Sequence, residues 1–126
     1  MPKQPEALRL VDVEPEQINP SAAADFVQRG WLFYERMDYP RAEADFHQAI
    51  AMQPGDLDAQ YALALTLKHM GKSQEAIPIF ETVNRMAEQL TDQVRGRMIR
   101  RLSTGHINQI TQGDWNLAPD VWKRTS

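Results

Sequence analysis

The chain contains no cysteine, which removes disulfides, thiol nucleophiles and cysteine metal sites together and agrees with a reducing, cytoplasmic setting. No apolar run approaches the roughly 20 residues needed to span a bilayer. Met1 to Pro20 lacks the basic start and apolar middle of a signal peptide. Neither a membrane anchor nor export is expected. The usual catalytic signatures are missing too: there is no glycine-rich phosphate loop, no His-Glu-x-x-His and no Gly-x-Ser-x-Gly. His47, His69 and His106 fall one per segment, and none is followed at three or four residues by a histidine or carboxylate that would complete a local metal pair. Glu43, four residues before His47, is the near miss and suits a solvated helix. The expectation is therefore no catalytic residue, no metal and no cofactor.

A strong charge of one sign is also lacking. Fourteen basic and 17 acidic residues leave a net charge of −3 and a pI near 5.6. Arg95, Arg97, Arg100 and Arg101 form the densest cationic group, but nucleic-acid binding would call for a recognised motif and a basic balance, and none is expected. The charge is unevenly spread. Residues 1–90 carry 8 basic and 14 acidic side chains, whereas residues 91–126 carry 6 and 3. A mild basic pole of this kind orients an acidic partner or head-to-tail association, or is simply a solvated helix face.

What the chain does have is one pattern written twice. A constant step in the numbering, 76 − 42 = 34, places Ala42 on Ala76, Phe46 on Phe80, Gly30 on Ala64, Phe33 on Leu67 and Ala49 on Val83. The matched residues are small or apolar and recur at helical spacing, so each copy reads as two amphipathic helices joined by a tight turn. Small residues at Gly30, Ala42, Ala64 and Ala76 allow two helices to approach closely. Phe46 and Phe80 then fill the space between.

The helices predicted from local signals run from about Ala22 to Arg36, Pro40 to Met52, Leu57 to Met70, and Ser73 to about Leu90. Ser21, Asp56 and Ser73 are the expected N-caps, with Pro40 in the first turn of its helix and Gly71 as a left-handed stop. Pro78 is expected to cost at most one backbone bond. Thr91 opens a fifth helix in which Val94, Met98, Leu102, His106 and Ile110 recur every four residues with Ile99 beside them, a stripe expected to lie on the second repeat. Gly105 falls one further period after Gly71, so this helix either runs unbroken or is a third, degenerate repeat that breaks there. Pro2, Pro5, Pro15 and Pro20 mark residues 1–20 as an extended arm. Its apolar Leu8, Leu10, Val11 and Val13 either dock as a strap or leave the arm disordered. Residues 113–126 form a tail in which Trp115, at least, is expected to fold back onto the helices, because an indole gains about 150 to 250 Å² of burial.

Phe26, Gly30, Phe33, Ala42, Phe46 and Pro54, and then Leu63, Ala64, Leu67, Ala76 and Phe80, resemble the tetratricopeptide repeat pattern W-x2-L-G-x2-Y, A-x3-F, P. Arg29 and Gln60 depart from it, and Glu88 stands where the closing proline would be. The resemblance implies an all-α fold: two helical hairpins in a right-handed solenoid, at about 23–56 and 57–90, and a capping helix at about 91–111. Together they make a helical domain over 21–112. It also implies a concave groove lined by the first helix of each pair, here Val27, Trp31, Tyr34, Tyr61, Leu65, Lys68 and His69, extended by Arg95 and Ile99. The family's clamp for C-terminal carboxylates is absent, since Val27, Trp31, Ala62, Asp92 and Gly96 occupy its positions.

The function these residues imply is a non-catalytic protein-interaction module or scaffold that takes a peptide or partner protein in an apolar and aromatic groove. The alternative is a self-assembly unit, a homodimer through the groove or the tail. A small enzyme or a nucleic-acid binder is the remote reading. The groove is either filled by the chain's own arm or tail or left for an outside partner.

Overall fold

The structure, a computed structural model, describes residues 13–115. Five helices follow one another: α1 (Ala23–Glu35), α2 (Tyr39–Met52), α3 (Leu57–His69), α4 (Ser73–Glu88) and α5 (Gln93–Gln112). A short 3-10 helix, Pro15–Gln17, precedes them. Helices α1 with α2 and α3 with α4 form two antiparallel hairpins, and α5 packs chiefly on α4. The architecture is all-α, as the repeat implied.

Local chemistry explains the boundaries. Asp56 caps α3 by accepting the Ala59 N–H at 3.2 Å, and Asp92 caps α5 by accepting that of Arg95 at 3.0 Å. The other two cap expectations need correction. Asp25, three residues inside α1, reaches back to accept the Ser21 and Ala22 N–H groups, each at 3.1 Å; the Ser21 hydroxyl is itself a donor to that carboxylate. Ser73 is the first residue of α4, and its predecessor Lys72 stands at the cap without a side-chain capping bond. Helix α4 passes through Pro78, whose missing N–H costs the one bond expected.

The turn within each hairpin uses a left-handed residue at the same place in the register. In the second hairpin it is Gly71, φ 77°, and in the first it is Met37, φ 62°. A side chain there costs about 1 to 2 kcal/mol relative to glycine.

The core is the repeat itself. Ala42, Phe46, Ala49, Ala64, Ala76, Phe80 and Val83 are completely buried. A Cβ on Gly30 would sit 2.6 Å from the Phe46 ring, so only glycine lets α1 come this close to α2 at that point. Across the same interface Arg29 donates twice to the buried carboxylate of Asp45, at 2.8 and 2.7 Å. At the N-terminal end Pro15 is buried and Glu14 and Glu16 pair with Arg36, so the 3-10 helix fastens to α1. The strap expected over Leu8 to Val13 lies, apart from Val13, outside the described residues, as does Trp122.

Helix α5 corrects the sequence reading most. It is unbroken, with Gly105 inside it and Gly113, φ 86°, ending it. Its expected apolar stripe, however, is split. His106 joins the packed side and Ile110 packs on the main core, while Val94, Met98 and Leu102 are 66%, 54% and 38% exposed. The face laid on α4 instead centres on Gly96, Ile99 and Ser103. The reason is distance: a Cβ on Gly96 would lie 2.7 Å from the Ala87 carbonyl oxygen, an approach that a row of valine and methionine would prevent.

Candidate functional site

Five of the nine expected groove residues, Val27, Trp31, Tyr34, Tyr61 and Leu65, pack partly exposed on the main core cluster. Helices α1 and α3 present them at spacings of three or four along one side. Their inner atoms are held by the core: the Trp31 ring meets Phe46 edge-on at 5.3 Å and Tyr34 at 5.1 Å. His69 joins this group, 5.4 Å from Tyr34.

Tyr61, Lys68 and the far end of α5 form a second group. His106 is its centre. Its ring stacks on Phe80 at 4.9 Å and meets Trp115 edge-on at 4.7 Å. Its Nδ1 lies 2.9 Å from the Lys68 ammonium and its Nε2 lies 3.1 Å from the Tyr61 hydroxyl. An ammonium can only donate, so Nδ1 accepts and the neutral ring carries its proton on Nε2, which donates to Tyr61. Burial, then the Lys68 charge, then His69, push the His106 pKa down to about 4. Burial likewise lowers Lys68 and raises Tyr61. Lys68 also donates to Gln109 and sits 5.7 Å from the centre of the Trp115 ring.

Trp115 folds back as expected, and Gly105 is its seat. A Cβ there would lie 2.1 Å from the indole, and Asn108 donates to the Trp115 carbonyl at 3.1 Å. The two remaining groove residues lie apart. Arg95 donates to Asp58 at 3.1 Å on the exposed side of α3. Ile99 belongs to a second cluster built on Leu57, Val83 and Ala87, which it shares with Tyr61.

Three contributors were not among the predicted groove residues: His106, Gln109 and Tyr39. His106 is half-buried in contact with α3 and α4. Its place in the apolar stripe of α5 was the available signal. Tyr39, the first residue of α2, stacks on His69 at 5.3 Å; it precedes the helix start expected at Pro40, and nothing local marks it for this contact. His47 is exposed, 3.5 Å from Glu43, as on a solvated helix. Among the described residues no group of three or more His, Cys, Asp or Glu could hold a metal ion. No helix among them is long and apolar enough to cross a membrane.

Two hairpins of this construction followed by a covering helix define a helical repeat protein. A family model for the tetratricopeptide repeat matches residues 33–96, half of the chain, and the chain belongs to that family. Members are generally protein-interaction modules and typically non-catalytic. No curated protein and no solved structure gave a match.

Proposed function

We propose that the chain is a non-catalytic interaction module whose groove receives an extended or helical peptide against Trp31, Tyr61 and Leu65. The observation that carries this reading is that these three side chains are anchored on the core yet partly exposed. Tyrosine and tryptophan held in this way bury much area on binding at small cost in side-chain entropy. Tyr34 and His69 would extend the surface at one end. At the other, Trp115 over Lys68 and His106 sets a boundary, since the indole already covers that part. No described residue reproduces a carboxylate clamp, so the peptide would be held by apolar side chains along its length and not by its terminus.

The test begins with peptides selected from a random phage-displayed library and mapped by amide chemical shifts. Shifts should centre on Trp31, Tyr61 and Leu65. The Trp31→Ala, Leu65→Ala double variant should bind about tenfold or more weakly, the loss typical of interface anchors. Undiminished binding by a double variant that keeps its helical circular dichroism would overturn the reading. Light scattering over a concentration series, near 14.5 kDa for a single chain, would reveal whether a second copy competes for the same face.

A further inference from the structure

One face of α5 has no described helix against it. Two periods of the repeat (2 × 34 = 68 in the numbering) carry Phe26, Arg29, Gly30 and Phe33 onto Val94, Arg97, Met98 and Arg101. On α1 these are the positions turned towards α2, where Gly30 meets Phe46 and Arg29 holds Asp45. On α5 no helix follows among the described residues. Glu35 ends α1, and the matching position on α5 is Ser103, yet α5 continues to Gln112. The position matching Asp45 (45 + 68) is Gly113. Among the described residues this face therefore has no filling helix: Met98 and Arg101 stand where the first repeat has Gly30 and Phe33, and residues 107–112, the start of the stretch that would supply that helix, extend α5 instead.

The electrostatics say what fits. Helix α5 has four arginines and no acidic residue between Gln93 and Gln112. Arg95 and Arg100 are paired, with Asp58 and Glu88. Arg97 and Arg101 are exposed, make no ion pair among the described residues, and flank Val94 and Met98 at helical spacing. We infer that this face docks an amphipathic helix of a partner protein, with an apolar seam on Val94, Met98 and Leu102 and carboxylates along one flank facing Arg97 and Arg101. Arg29 with Asp45 shows the same pairing within this chain. Met98 stands where the first repeat has Gly30, so the partner helix carries a residue smaller than phenylalanine opposite it. The site is separate from the groove at Trp31, Tyr61 and Leu65 and does not depend on it.

The probe is a stapled, fluorescein-labelled peptide of residues 38–53 with Phe46→Leu, which presents Asp45 on an apolar seam. It should bind the full chain saturably and shift the amide resonances of Val94, Met98 and Leu102. Arg97→Glu, Arg101→Glu in the full chain should weaken it about tenfold or more, as for a broken interfacial charge pair, and Asp45→Arg in the peptide should restore binding to that variant. Both substituted arginines are exposed, so folding is not at stake. Absence of saturable binding, equal binding by the double variant, or shifts confined to the Trp31 groove would overturn the inference. So would a dimer of the free chain that Met98→Glu dissolves, which would make a second copy the occupant. Movement of the Val94, Met98 and Leu102 signals on deleting residues 116–126 would overturn it as well, by assigning the face to the chain's own end.

Discussion

At the residue scale the most informative contact is the Arg29–Asp45 pair, because the second repeat supplies its apolar counterpart. One period on, Arg29 and Asp45 become Leu63 and Ile79, a buried and a partly buried member of the same core. Asp45 is only 4% exposed, and the Arg29 guanidinium is held protonated by its hydrogen bonds to that carboxylate. Removing the arginine alone strands a buried charge, whereas replacing both partners with apolar groups removes the desolvation cost from each side. Arg29→Leu should therefore cost about 3 kcal/mol, while Arg29→Leu with Asp45→Ile should return to within about 1 kcal/mol of the parent chain. Urea unfolding of the two variants checks this. A double variant as unstable as the single one would mean that the pair does more than repeat one's version of Leu63 and Ile79.

At the scale of elements, α5 shows how two glycines decide a helix's neighbours. Gly96 lets the α5 backbone come against the Ala87 carbonyl on α4, and Gly105 leaves room for the Trp115 indole. Neither needs a positive φ, so each is present for the space that a Cβ would take. Gly105→Ala should accordingly have two opposed effects. The helix gains up to about 1 kcal/mol of intrinsic propensity, while the indole is pushed off its seat beside His106. Thermal stability should change little, whereas the Trp115 indole N–H resonance should move towards its solvent-exposed position. An unmoved resonance would mean that the ring does not rest on Gly105.

At the scale of the whole molecule, His106 gathers the C-terminal half. It touches α3 through Tyr61 and Lys68, α4 through Phe80, and the residue beyond α5 through Trp115. Its pKa, pushed from 6.5 down to about 4 by burial, makes it neutral in the folded chain at pH 5, where the unfolded chain is mostly protonated. Unfolding thus takes up a proton between pH 6.5 and 4. The contribution of His106 to stability is complete above that window, declines as the pH falls through it and levels off below about 4. Between pH 7 and pH 5 the loss should be about 1 kcal/mol, after allowance for solvent around a half-exposed ring. Comparison with His106→Gln separates this from carboxylate titration, since the parent chain should lose more stability than the variant. Equal losses would mean that His106 is protonated in the folded state.

Much of this protein was legible from local patterns. Local signals placed four helices within one or two residues of their ends and put Gly71 at a left-handed turn, and the repeat period identified Phe46 and Phe80 as the core. Those features follow from local rules: side chains recur on one helix face, a carboxylate caps the third N–H ahead of it, and glycine takes a positive φ without a steric cost. The positions of Trp31, Tyr34, Tyr61 and Leu65 came from the repeat resemblance, and the structure places these side chains partly exposed against the core. The tertiary structure alone decided which side of α5 faces inward, because that depends on how near Gly96 can come to Ala87, not on which apolar residues recur. It alone brought His106 to Tyr61 and Lys68, and Tyr39 to His69. These contacts join partners far apart in the chain, and no pattern within a single helix encodes a distance that only the stacking of one helix on another creates.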